Sequence, residues 1–439
     1  MRVCGVYFVF VILLSACTNG VSHLDIALQQ AKHNKAELEK VLKHFKHDSL
    51  KYRAACFLIE NMPGKYSILP YDSLDRYKNF LKIIPQNDPI SWDVRYSKIW
   101  HGFDSISKRQ LAGFSKIEDI KVITGDYLIK NIEYSFKIWE NGKIKDYCSF
   151  DEFCHYILPY RIDHEPLSDW REEGFQKFGH LLDSLMSPRE LALRIIKLGG
   201  MRYNIGMTKY PYKQSYAEML QTRWGTCDDM AAFLALSLRA IGIPASIDYV
   251  PAWANRSSSH CWNVVKDATG DFIEVGYGPE GKNEVVYKIS KIYRKKYDIP
   301  LCDVTSEYAM PLSDLTFRVP SQKDKQLISL CTFNNYDWVP VALSKVMNGG
   351  VLFESVGRGI LWGDNQIRTY LNEGKGIVFL AFISQKGRLN NKPIGFPVIL
   401  LEDGTIKELC ASTEKESIIL CKYPYYGCLL YTSPSPRDT

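Results

Sequence analysis

The sequence predicts an α+β protein. A helical N-terminal region leads into a central core of helix and sheet, and then into a C-terminal all-β module of sandwich type. Three observations predict this. Apolar residues recur at intervals of three and four from His23 to about Met62. A long apolar stretch at 226–244 is followed by short strand-like runs. Beyond Pro300 the period shortens to about two. With 439 residues, 46% of them hydrophobic, the chain is long enough for two or three cores.

The first residues are read as a leader, not as fold. "MRVCGVYFVFVILLSAC" carries one Arg, an apolar run from Val3 to Leu14, and then small residues. That run is too short to span a bilayer as a helix and reads as a signal-peptide core over 1–16. The ending Leu14-Ser15-Ala16-Cys17 resembles a bacterial lipobox, the alternative being a plain secretory signal. The resemblance implies that Cys17 is lipidated and becomes the mature N-terminus, anchored durably to a membrane by several acyl chains. Thr18, where an Asp would signal inner-membrane retention, fits an outer-membrane lipoprotein facing the periplasm. At the other end, "CLLYTSPSPRD" resembles a translated sequencing adapter, so 428–439 is set aside and the natural chain is expected to continue beyond Gly427.

Residues 17–185 are expected to be mainly helical. "DIALQQAKHNKAELEKVLKHF" and "KYRAACFLIENMPG" give two helical stretches ending at a Pro-Gly breaker. "DYCSFDEFCHYILPYRIDHEPLSDWREEGF" is dense in Tyr, Trp and Pro, which suggests an ordered surface packed on the next domain. The core is placed at 186–300. It opens with "SPRELALRIIKLG", where Ser187 caps, Pro188 takes the first helical position and a Gly ends the helix. In the β module, 301–427, runs such as "QLISLCTFNN" and "GIVFLAFIS" are broken by Asn-Gly-Gly, Gly-Lys-Gly and Asp-Gly turns.

Charge excludes one class of partner. The net charge of +6 is spread along the chain, and the densest basic run, "SKIYRKKYD" at 290–298, reads as a solvated face, so no nucleic-acid partner is expected. Twelve cysteines become nine once Cys4, Cys17 and Cys428 are set aside. An odd count leaves at least one thiol over, and no pair spacing suggests a structural zinc, so neither metal nor cofactor is expected.

The chemistry concentrates at "QTRWGTCDDMAAFLALSLRAIGIP", 221–244. Thr226 and Asp229 have capping-box spacing, and Gly242 and Pro244 close the helix. Cys227 therefore falls in the first turn, where the helix dipole and free N–H groups favour a thiolate. Asp228 and Asp229 oppose it, so a thiolate needs a further cation, for which an imidazolium is suited. His260 stands at the loop–strand junction of "SSSHCWNVVKDATGDFIEVGYG", with a turn at Gly270 and a second strand from Phe272. Asp248 and Asn263 flank the site with no role beyond hydrogen bonding.

Gly-Thr-Cys before an Ala/Leu-rich helix, then "LRAIGIPA", then His260 in "HCWNVV" resembles the transglutaminase-like superfamily, over about 187–285. The flanking text is similar to that of multidomain bacterial lipoproteins carrying this core. The resemblance implies a papain-like transglutaminase core in which Cys227 is the nucleophile and His260 its base. It also implies an Asp near the start of the next strand, and Gly276 stands there instead. If Lys266 pairs with Phe272, Glu274 shares a sheet face with His260 and is a candidate third group. Glu280, a backbone carbonyl or a water remain open for that role. Gln221 has the spacing of a papain-type oxyanion glutamine, although it also reads as an ordinary surface residue. Trp224 and Trp262 are expected to wall the cleft.

The leading functional expectation is thiol-dependent acyl transfer or hydrolysis of amide and peptide bonds by a periplasmic peptidase or amidase. The substrate would be a peptide or protein, free or linked to cell wall or glycan. The alternative is a non-catalytic peptide- or glycan-binding lipoprotein on a degenerate scaffold.

Overall fold

The N-terminal helices start where side chains can cap them. Ser22 and Asp25 form a reciprocal capping box at α1 (His23–Ala31), α2 spans Lys35–His44, and Asp48 caps α3 (Ser49–Glu60). The computed structural model describes residues 22–69, 115–141, 143–203, 213–254, 258–278, 287–299, 301–319, 326–334, 337–360, 376–385 and 388–410. The expected signal peptide, Cys17, Glu280 and the adapter-like tail lie outside the described residues. Among those described, no helix is long and apolar enough to cross a membrane.

Two strands, β1 (Tyr66–Leu69) and β2 (Ser115–Glu118), pair antiparallel within the region expected to be mainly helical. Helices α4 (Asp119–Val122), α5 (Gly125–Asn141) and α6 (Phe150–Tyr156) follow. One apolar core takes Leu38, Leu58, Ile132, Phe136 and Phe153 from these helices, together with Tyr297 from far along the chain. The Tyr297 hydroxyl donates to the Leu58 carbonyl at 3.2 Å. Buried Arg171 ties α7 (Trp170–Phe178) to the centre by donating to the carbonyls of Ile157 and Arg239.

The central core begins at α8 (Pro188–Gly199), which has Ser187 and Glu190 as its capping box, Pro188 at its start and a left-handed Gly200 at its end. Strand β3 (Arg202–Tyr203) pairs parallel with β4 (Trp224–Gly225), and α9 (Tyr216–Thr222) lies between them in sequence. Helix α10 (Cys227–Ala240) is buried continuously from Asp229 onward, as its unbroken apolar sequence requires. It stops at Gly242, whose φ is +86° and where a Cβ would stand 2.1 Å from Ile138. Glycine alone fits both the conformation and the space.

The sheet beside α10 comprises β5 (Ala245–Val250), β6 (His260–Lys266), β7 (Phe272–Val275), β9 (Tyr293–Arg294) and β10 (Cys302–Asp303), in the antiparallel order β10-β9-β5-β6-β7. Alternation along β6 sends Cys261 and Val265 into the α10 core, and Trp262 and Val264 into a second core with Val250, Tyr308 and Met310.

Short β8 (Lys288–Ile289) joins the remaining strands through β15 (Gly359–Ile360). Strands β11 (Leu312–Arg318) and β14 (Gly350–Gly357) pair with each other. Strands β12 (Leu327–Asn334), β13 (Asp337–Lys345), β16 (Gly376–Gln385), β17 (Arg388–Leu401) and β18 (Ile406–Glu408) form a five-stranded antiparallel sheet. Both sheets contribute to one core, including Leu315, Phe353, Leu330 and Phe379. The chain is thus mixed helix and sheet, with its helices concentrated before residue 241 and strands after it.

Candidate active site

Cys227 is the first residue of α10 and is half-buried. The capping box that sets the helix start there is formed: Thr226 N and Oγ1 both donate to Asp229 Oδ2 at 2.9 Å, and Asp229 N donates back to Thr226 Oγ1 at 3.4 Å. Residue 227 therefore presents its own N–H among the unpaired groups of the first turn, where partial positive charge accumulates.

His260 opens β6, and its side chain reaches Cys227 from the sheet. Cys227 packs against the core that contains Cys261, and the Cys261 thiol and the His260 imidazole both act on its thiol. The Cys261 bond first, and then the His260 bond and charge, outweigh burial and the Asp228 charge and draw Cys227 from 9.0 down to about 6. Cys261 is held in place by Asp228, to whose Oδ1 its thiol donates at 3.4 Å.

The two acidic residues after the cysteine oppose a thiolate less than their sequence suggests. Asp229 is consumed by the cap, and burial raises its carboxyl. Asp228 is held charged by Lys213, whose Nζ lies 3.4 Å from it. Lys213 also faces Asp163 at 3.8 Å, and Lys295 closes on the same Asp163 at 2.8 Å. The cation that offsets Asp228 thus belongs to a chain of charges reaching into the "YRIDHEP" segment, a partner that sequence spacing gave no means to find.

The imidazole is flanked by aromatic rings. Trp253 stacks on His260 with centroids 5.7 Å apart and planes at 24°, and Trp262 lies 6.0 Å away at 38°. Trp262, expected to wall the cleft, is instead an interior brace. It is 2% exposed, and its indole N–H donates to Tyr308 Oη at 2.8 Å. Tyr308 donates onward to Asp248 at 2.6 Å, and Asp248 takes both Nε and an Nη of Arg294 at 2.9 Å. Asp248 is therefore committed to a buried ion pair. Trp224, 6% exposed, is likewise interior.

Glu274 is corrected by the register. Lys266 does pair with Phe272, which puts Glu274 opposite Val264 and on the His260 face. Val264 is four residues along from His260, roughly 13 Å at about 3.3 Å per residue, beyond the reach of a glutamate. Glu274 neighbours Asp248 instead, and burial followed by that charge pushes its carboxyl up to about 8. Continuing the register sets Gly276 opposite Trp262, close to the imidazole, where it has no side chain to offer.

Gln221 is exposed on the last turn of α9. The buried glutamine of this stretch is Gln214. Its Nε2 donates to the Trp224 carbonyl at 2.8 Å, and its Oε1 accepts from Thr222 Oγ1 at 2.9 Å, which fixes the turn leading into Cys227. Asn263 also has a definite task, donating to the Ala231 carbonyl at 2.8 Å and so pinning β6 to α10. Among the described residues, no group of three or more His, Cys, Asp or Glu side chains could hold a metal ion.

Comparison with known families finds a match over the same part of the chain. Residues 180–276 match the model of the transglutaminase-like superfamily. This segment is a transglutaminase-like domain. It runs from the 3₁₀ turn before α8 to Gly276, and so contains both Cys227 and His260. No curated protein matches the chain. Among solved structures, one named "Putative Cysteine Protease", from Cytophaga hutchinsonii, is 14% identical and covers 44% of this chain and 51% of its own length. Its TM-score of 0.21 is too low to bear on fold or chemistry.

Proposed function

We propose that this chain is a thiol-dependent enzyme that transfers or hydrolyses acyl groups of amide and peptide bonds, acting as a peptidase or amidase. The observation that carries this reading is the contact between the lowered Cys227 thiol and His260 at the start of a buried helix.

In this mechanism His260 takes the Cys227 proton, and the thiolate attacks the carbonyl carbon. The Cys227 N–H receives the developing oxyanion, with the exposed Gln221 amide as the proposed second donor. As the tetrahedral intermediate collapses, the imidazolium protonates the departing amine and an acyl-enzyme remains. Water activated by His260 then releases the acid, or an amine accepts the acyl group. Gly276 supplies no carboxylate to orient the imidazole, and the Trp253 stack holds the plane of the ring.

The proposed setting is a lipoprotein anchored through Cys17 at the outer membrane and facing the periplasm. The β module is read as sandwich-like, and in the competing, non-catalytic reading it is the part that recognises peptide or glycan. Gly276 favours the competing reading, a binding lipoprotein that keeps the core as scaffold. The two readings separate on incubation with activated peptide esters followed by mapping of acylated peptides. The enzyme reading expects an acyl adduct on Cys227 that decays with turnover and is lost in His260→Ala. It fails if Cys227 is never acylated while the folded chain still binds peptide.

A further inference from the structure

Two thiols meet at this site, and acyl transfer uses only one of them. Cys227 is half-buried and accessible, whereas Cys261 is 5% exposed and packed in the α10 core. Cys227 packs against the core that contains Cys261, and Cys261 Sγ lies 3.4 Å from Oδ1 of Asp228, the residue next to Cys227 in the chain. They come from different elements, the start of α10 and the second position of β6, and both are unpaired. The other described cysteines, including buried Cys148, Cys154 and Cys331, have no part in this contact.

We propose that Cys261 is a resolving thiol, which captures oxidised Cys227 as a disulfide and so makes the site reversibly redox-sensitive. The oxidant class is a hydroperoxide. The Cys227 thiolate attacks the distal peroxide oxygen, the O–O bond breaks, and Cys227 becomes a sulfenic acid while the other oxygen leaves as alkoxide or hydroxide and takes a proton. Cys261 sulfur then attacks Cys227 sulfur, the S–O bond breaks, and hydroxide leaves as water with the Cys261 proton, for which Asp228 Oδ1 is the adjacent acceptor. Two sulfurs lose one electron each, and the peroxide gains two. The asymmetry of exposure fixes the order: peroxide reaches Cys227, and only an already buried neighbour can reach the sulfenic acid without opening the core. The lowered Cys227 thiol supports the first step.

The inference rests on Cys227 being the reactive thiol of the proposed function, but it is read by mass and not by turnover. The full chain is treated with hydrogen peroxide and digested without reductant. The expected result is a mass lower by two hydrogens and a crosslinked peptide pair containing Cys227 and Cys261. Iodoacetamide labelling of Cys227 should be lost, and dithiothreitol should restore it. In Cys261→Ala, and in the closer mimic Cys261→Ser should alanine disturb the core, Cys227 should gain two oxygens as sulfinic acid, and its labelling should stay lost after dithiothreitol. If wild type forms sulfinic acid as readily as these variants, the pairing is overturned while the nucleophile reading stands. If peroxide leaves both thiols reduced while folded controls oxidise, both readings fall.

Discussion

Asn334 holds the residue that holds His260. From the end of β12, Asn334 Nδ2 donates to the Trp253 carbonyl at 2.9 Å and to the Ser258 carbonyl at 3.0 Å, and Trp253 stacks on the imidazole. The loop before β6 is therefore closed by the β module, with Trp253 N donating to Ser258 O at 3.0 Å and Ala254 N to Lys288 O at 2.9 Å. The C-terminal strands are part of the frame of the site.

Replacing Asn334 by Leu removes a donor shared by two carbonyls, and Asn334 itself is only 6% exposed. The expected cost is about 1–3 kcal/mol of stability, read as a lower Tm. Alkylation of Cys227 by iodoacetamide should slow as well, since His260 loses its fixed neighbour. A lower Tm with unchanged alkylation would make Asn334 a clamp of the fold with no bearing on the site.

The charges beside the thiol should act in opposite directions. Asp228 raises the Cys227 pKa and Lys213 offsets Asp228, so Asp228→Asn should move the inflection of alkylation rate against pH downward. Lys213→Gln should move it upward. Measuring both profiles at one ionic strength checks the pair, and shifts of the same sign would contradict the charge chain.

Much of this site was legible in the sequence because its signals are local. Thr226 and Asp229 mark a helix start, Gly270 marks a hairpin, and Lys266 pairs with Phe272 across it. These depend on residues a few positions apart. Cys261, Trp253, Lys213 and Asn334 act through partners up to 81 residues away, and no periodicity encodes such contacts. Glu274 failed for a different reason. Alternation tells which face a residue occupies but not how far along the strand it sits, and the register put it beside Asp248.

That position makes Glu274 a pH-dependent liability. Its carboxyl ionises at about 8 in the fold against an ordinary 4.5, so the folded chain holds a proton that the unfolded chain releases. Stability should fall as pH rises from about 4.5 and level off above about 8. Glu274→Gln should flatten this decline, with the largest gain in Tm above about pH 8 and little change below 4.5. An equal change in Tm at both ends would mean that the residue acts through packing alone.

The central claim is that Cys261 and, after it, His260 hold the Cys227 thiol low enough to be a thiolate near neutral pH. The measurement that tests it most directly is the rate of Cys227 alkylation by iodoacetamide against pH, in wild type and His260→Ala, followed by peptide mapping. The account predicts an inflection near 6 in wild type, shifted toward 9.0 in the variant, with labelling slowed at the lower pH. An inflection near 9.0 in wild type, or the same profile in both proteins, would contradict it.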